Sequence, residues 1–385
     1  AFGMKSIDAK KVLFIVHREQ IARQALETFK LIFGNSRSYG LLTGQNKNTE
    51  ADFIFATIQT ISKQEVYQSF SKNYFDEIII DEVHRAGAES YLRVMDYFKP
   101  TFYLGMTASP DRTDSFNIYE LFNNNIVYEV RLKEAMENDL LCPFHYFGIS
   151  DLEIDGQPID ELSDFSKLYS DKRVNHIIDR INYYGYSGNR VKGLVFCSSK
   201  QEAKALSDEF NKRGFKTTSL TGEDSQERRE REVERLVADS GDVLDYIFTV
   251  DIFNEGVDIP EVNQVVMLRP TQSAIVFIQQ LGRGLRKSKD KDFVVIIDFI
   301  ANYKNSFLIP VALSGDNSYD KDTVRKFLSQ GTRYLPGTST IHFDEISKQR
   351  IYSAIDNVKL NTWIFVATEY SKLKNKLGRI PTYYD

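Results

Sequence analysis

Glu77-Ile78-Ile79-Ile80-Asp81-Glu82-Val83-His84 runs an apolar segment straight into two carboxylates. A strand that is apolar at successive positions, with no alternation, is buried on both faces, which is the signature of a parallel sheet. Working outward, the same kind of run recurs at Val12–Val16, at 53–56 and at Phe102–Met106, each closing on polar or small residues. Helical patterns lie between them, such as Glu19–Phe33 with Ile21, Ala25, Leu26 and Phe29 on one face. This order predicts a doubly wound α/β domain.

A second series follows at 193–197, 217–220, 246–250, 265–268 and 293–297, with charged helical stretches at 201–213 and 225–237. It predicts a second domain of the same architecture. The join is expected in the polar stretch 132–141, just before Pro143. The reading is therefore 1–132 for the first domain, 133–305 for the second, and 306–385 for a small, mostly helical C-terminal module.

At 385 residues the chain is too long for one ordinary core, and 42% hydrophobic with 27% charged residues is a soluble globular composition. Cys142 and Cys197 lack metal-ligand spacing, so a reducing, cytoplasmic setting is expected, and Cys197 in its apolar run reads as a buried structural thiol. No apolar stretch is long enough for a bilayer, and no signal or transit segment is visible from Ala1 onward. A formal charge of −5 excludes binding to nucleic acid through an overall positive surface, but leaves room for a local basic groove.

Asp81 and Glu82 fall at the carboxyl end of their strand, where open α/β sheets bind ligands. Asp81 would hold Mg²⁺ and Glu82 would polarise an attacking water. A solvated strand end is the bland alternative, and His84 sharpens the functional one as a coupling residue. Thr107 and Ser109 follow another strand and could relay nucleotide state by hydrogen bonds, against the alternative of a Ser-Pro turn. In the string from Thr249 to Pro260, Gly256 permits close backbone approach and Asp258 can accept a ribose or water hydrogen bond. A strand-to-turn connection explains the glycine and proline there but not the whole string. Finally, Gln279-Gln280-Leu281-Gly282-Arg283-Gly284-Leu285-Arg286 places Arg283 and Arg286 where planar guanidiniums could bind phosphate oxygens, with Gly282 and Gly284 expected to interrupt the helix. With Gln279, these arginines and Glu82 form the expected catalytic set; Asp81, Gly256, Asp258 and the two arginines form the expected nucleotide set. The two distant segments would be halves of one phosphoryl-transfer site facing each other across a cleft.

Together these strings resemble the DEAD/DEAH-box helicases of superfamily 2, in the branch that includes the helicase subunits of restriction enzymes. The resemblance covers nearly all of 11–300. It implies two RecA-like domains, ATP with Mg²⁺, and nucleic acid as partner, DNA favoured over RNA. It further implies nucleic-acid contacts at His17, Arg18, Thr43, Gly44, Thr57, Gln59 and Thr60 in the first domain. In the second it implies Ser198, Ser199, Thr221 and Thr249. One departure stands out: the family's Gly-rich loop ending in Gly-Lys-Ser/Thr is missing, and the sequence contains no Gly-Lys pair. Truncation of a longer bacterial protein, inactive as a fragment, is the expectation. The alternative is a non-catalytic nucleic-acid-binding or docking module that kept the fold and lost the loop.

Overall fold

The computed structural model describes residues 1–83, 86–107, 117–130, 132–154, 157–158, 169–250, 252, 259–269, 277, 282, 284–300, 306–314, 320–330, 337–357 and 363–382. The chain forms two units, one comprising Ala1–Glu129 with Asn361–Asp385 and the other Val130–Leu360. Each is built on a parallel sheet, as the apolar runs predict.

The first unit carries strands β1 (Val12–Val16), β2 (Tyr39–Leu42), β3 (Phe53–Thr57), β4 (Glu77–Asp81) and β5 (Phe102–Met106) in the order β2-β3-β1-β4-β5. All four pairings are parallel. Uniform apolarity has a direct cause here, because alternate residues feed two separate cores. Val12, Phe14, Phe53, Phe55 and Ile79 meet Ala22, Leu26, Phe29 and Phe33 of the helix Glu19–Phe33 on one side. Leu13, Ile15, Ile54, Ile78 and Ile80 meet Tyr91, Val94 and Phe98 on the other. Phe29 packs edge-on against Phe14, Phe53 and Phe55, so truncating it to Ala would cost about 3–5 kcal/mol. The expectation of two-faced burial fails at β5, an edge strand on which Phe102 and Met106 are 42% and 38% exposed.

The second unit carries β6 (Phe144–Ser150), a short antiparallel pair β7 (Glu153–Ile154) and β8 (Gln157–Pro158), then β9 (Gly193–Phe196), β10 (Thr217–Leu220), β11 (Tyr246–Thr249), β12 (Gln264–Met267), β13 (Val294–Ile300) and β14 (Thr340–Phe343). Its seven-stranded sheet runs β10-β11-β9-β12-β13-β6-β14, with every pairing parallel. Two strands of this seven-stranded sheet lie outside the sequence-based series. β6 enters the sheet beside β13, and β14 from the tail pairs with β6 at its edge. That last pairing needs Gly148, since a Cβ there would stand 2.4 Å from Phe343 Cδ1.

The tail expected as one module is divided between the units: residues to Leu360 belong to the second and the helix Trp363–Leu377 to the first. There Asn124 Nδ2 donates to the Asn375 carbonyl at 2.7 Å, and Lys376 pairs with Glu129 at 2.6 Å. Both cysteines are free and buried, and burial raises the Cys197 thiol pKa, as befits a structural thiol. No helix of the described residues is long and apolar enough to cross a membrane.

Candidate functional site

In a parallel sheet every strand points the same way, so the residues after each strand gather on one edge. In the first unit that edge collects His17 and Arg18 after β1, Thr43 and Gly44 after β2, Thr57 to Thr60 from the last residue of β3 onward, Asp81 and Glu82 at the end of β4, and Thr107 after β5. Asp81 closes β4 in register with Met106, which puts Thr107 one residue further along the neighbouring strand.

Glu82 turns the chain sharply. Its φ is +52°, a left-handed conformation that costs a residue with a Cβ about 1 kcal/mol. Its N–H donates to Asp81 Oδ1 at 3.0 Å, which anchors the Asp81 carboxylate to the backbone of the turn. Adjacent half-buried carboxylates of this kind suit Mg²⁺, a hard cation usually held by one or two carboxylates plus phosphate and water. Among the described residues no group of three His, Cys, Asp or Glu side chains gathers into a closed metal cage.

The hydroxyls after β3 have an internal job. Thr57 and Thr60 are buried with their Oγ1 atoms 3.0 Å apart, at the start of the short helix Ile58–Ile61. Gln59 between them is exposed, and its Nε2 donates to the His17 carbonyl at 3.1 Å, tying the loops after β1 and β3 together. Thr43 is buried and its N–H donates to the Asn46 carbonyl at 2.7 Å, while Gly44 is exposed.

The second unit gathers Ser198, Ser199, Thr221 and Thr249 on the equivalent edge of its sheet. Ser199 caps the helix Lys200–Lys212, its Oγ accepting from the Glu202 N–H at 3.1 Å. Both Ser198 donors turn inward: N–H and Oγ–H reach Glu202 Oε2 at 2.8 and 2.6 Å. The Thr221 N–H donates to Asp224 Oδ2 at 2.7 Å. Thr249 Oγ1 is buried and meets no hydrogen-bond partner among the described residues.

Of the arginine segment, Gly282, Gly284, Leu285 and Arg286 are described. Gly282 and Gly284 are helical, which corrects the expectation that they interrupt the helix. Close packing explains Gly284 instead, because a Cβ there would stand 2.8 Å from Val294 Cγ1 and 3.1 Å from Val265 Cγ2. Arg286 is exposed. His84, Ser109, Gly256, Asp258, Gln279 and Arg283 lie outside the described residues.

Among the buried cations of the described residues, Lys291 and Arg173 brace this edge and escape the sequence reading. Lys291, beside the surface Lys287 and Lys289, sends its Nζ to the carbonyls of Pro260, Val262 and Gly284 at 2.5, 2.8 and 2.9 Å, clamping the end of the 249–260 string to Gly284. Arg173 is fully buried between Asp151 and Glu202. Burial by itself would lower its pKa, but the two carboxylates outweigh that and raise it. Ser199-Lys200-Gln201-Glu202 has the Ser-x-x-Glu spacing of a capping box, the signal that could have revealed Glu202.

Comparison with known proteins matches residues 3–112 to the family described as type III restriction enzyme, res subunit, and residues 172–288 to the helicase conserved C-terminal domain. A Saccharomyces cerevisiae protein carrying the name ATP-dependent helicase IRC3 is 28% identical over 304 residues, which cover 75% of this chain and 43% of that protein. The fragment structure of an HsdR subunit of a type I restriction enzyme from Vibrio vulnificus is 25% identical, with a TM-score of 0.56 over 75% of this chain and 53% of that one. A structure of the ATP-dependent Type ISP restriction-modification enzyme LlaBIII bound to DNA shares the fold, at 16% identity and a TM-score of 0.60, over 98% of this chain and 30% of that one. The chain thus spans about half or less of the length of these proteins.

Proposed function

Because this chain belongs to the superfamily 2 helicases, in the branch that includes the helicase subunits of restriction enzymes, we propose that its two units are the motor core of an ATP-dependent nucleic-acid helicase or translocase. What carries the reading is the Asp81-Glu82 pair: two carboxylates at the binding edge of a parallel sheet, the second held in a strained left-handed turn.

In this reading Asp81 holds Mg²⁺ and Glu82 orients the attacking water, while Arg283 and Arg286, with Gln279, answer the charge on the transferring phosphate. Mg²⁺, when bound, supplies charge neutralisation on the phosphates. Gly256 and Asp258 approach the nucleotide, and His84, Thr107 and Ser109 couple its state to the rest of the motor. Nucleic acid is met through His17, Arg18, Thr43, Gly44, Thr57, Gln59, Thr60, Ser198, Ser199, Thr221 and Thr249. Small hydroxyls and backbone amides suit contact with the sugar-phosphate chain rather than with base edges. DNA is the favoured partner, supported by the likeness to restriction enzymes, one of them bound to DNA.

These 385 residues hold no Gly-Lys pair and hence no Gly-Lys-Ser/Thr phosphate loop. We therefore expect the polypeptide by itself to bind ATP weakly and hydrolyse it negligibly. The same observation favours a second reading, a non-catalytic nucleic-acid-binding module. Phosphate release measured with single-stranded DNA, duplex DNA and RNA tests both. Residues 1–385 should show negligible turnover, and a polypeptide that joins them to a phosphate loop should show nucleic-acid-stimulated turnover. Failure of the joined protein to hydrolyse ATP would leave the scaffold reading in place, and robust turnover by 1–385 would overturn the expected inactivity.

A further inference from the structure

Among the described residues, Arg173, Asp151 and Glu202 form a buried ionic cluster at the carboxyl edge of the second sheet. Arg173, in the first turn of the helix Asp171–Tyr184, is 0% exposed. Its Nε and Nη2 donate to Asp151 Oδ2 at 3.1 and 2.9 Å, and its Nη1 donates to Glu202 Oε1 at 2.8 Å. The other carboxylate oxygen of Glu202 receives both donors of Ser198. Asp151 is itself placed from the far side, because the neighbouring Ser150 gives its N–H and Oγ–H to Asp344 Oδ2 at 2.7 and 3.0 Å, and Arg350 Nη1 donates to the Ile300 carbonyl at 2.6 Å. A continuous polar rail therefore runs from the end of β14, past the ends of β6 and β13, to the loop after β9.

A buried ionic group is an expensive way to fill space, since apolar side chains of similar volume commonly serve as well or better. What apolar side chains cannot do is hold one Glu202 oxygen so that the other turns to Ser198. The planar guanidinium fork fixes direction as well as charge, binding one carboxylate with two N–H groups and the other with a third. Without it, Glu202 would be a buried carboxylate lacking a counter-charge, and nothing would hold its second oxygen toward the two Ser198 donors.

We propose that Arg173 is a positioning residue for nucleic-acid binding: acting through Glu202, it fixes the loop that presents Ser198 and Ser199 to the sugar-phosphate chain. The proposal rests on the nucleic-acid reading of this edge. Its consequence is that a change at Arg173, fully buried behind the loop, weakens binding although the residue itself is out of reach of the strand.

The test uses residues 1–385, fluorescence anisotropy with end-labelled oligo-dT and oligo-U of equal length, thermal unfolding, and hydrogen exchange at the Ser198 amide. Arg173→Lys keeps the charge and removes the fork; a charge-free variant, Asp151→Asn with Arg173→Met and Glu202→Gln, guards against a lone variant that fails to fold. In whichever variant retains a cooperative thermal transition, the Ser198 amide should exchange faster and both oligonucleotides should bind about tenfold more weakly, the size expected for losing one charge-assisted hydrogen bond. A folded variant with faster exchange at Ser198 and unchanged affinity would overturn the positioning role, as would unchanged exchange in folded Arg173→Lys. If the unsubstituted chain binds neither oligonucleotide, the nucleic-acid reading itself fails and the proposal goes with it.

Discussion

The two sheets present their carboxyl edges differently. In the first unit the edge is acidic and conformationally stressed, with Glu82 held at a positive φ beside Asp81 and neighbouring loops joined by short polar links such as Gln59 to His17. In the second unit the edge is braced from beneath by Arg173 between two carboxylates and by Lys291 on three carbonyls. The contrast teaches that the same architecture can be built for reactivity on one sheet and for rigid placement on another. Strain sits where chemistry is proposed, and buried cations sit where loops must hold still.

The sharpest way to break this comparison is at Glu82. In a polypeptide that supplies the phosphate loop, Glu82→Gln keeps shape and backbone but removes the base, and steady-state phosphate release should fall by about 10²–10⁴-fold. Unchanged release would put the chemistry elsewhere. In the second unit, burial pushes the Asp298 carboxyl up to about 7, against the opposing pull of its 2.6 Å hydrogen bond from Tyr146. A carboxyl whose folded pKa is raised binds its proton more tightly in the native state, so stability is full below the unfolded value near 4 and is lost as pH rises to about 7. The loss should reach a few kcal/mol by denaturant unfolding followed in this unit, and Asp298→Asn should flatten the slope. A smaller effect is expected at Gly284, where Ala would push the backbone there off Val265 and Val294 at a cost of about 1–3 kcal/mol, read by urea unfolding. The smallest sharpens the strain argument: Glu82→Gly should stabilise the first unit by up to about 1 kcal/mol, seen as slower hydrogen exchange around β4, while turnover is lost.

Much of this was legible from apolar runs. β1 and the helix Glu19–Phe33 lie where the pattern puts them, because each feeds a core on both sides or one clean face. β2 was missed because Tyr39-Gly40-Leu41-Leu42 is a short edge strand, half-buried at alternate positions and broken by glycine. β6 alternates between two cores, with His145 and Phe147 half-buried, so it carries no uniform run, and β14 is an edge strand with His342 exposed. Sequence position names Asp81 and Glu82, because acids ending an apolar strand are visible in one dimension. Asp151, Arg173 and Glu202 are 22 and 29 residues apart, and nothing in a linear chain says that three charges will meet in the dark.

β14 has a consequence for biosynthesis. It docks on β6, with His145 Nδ1 and Thr340 Oγ1 2.8 Å apart across 195 residues of sequence. While a ribosome makes this chain, the outer edge of β6 stays unpaired until those residues have emerged, and an open parallel edge is where nascent chains stick to one another. Arrested chains that end before Thr340 should be the ones that engage chaperones most, and release should follow once Phe343 clears the exit tunnel.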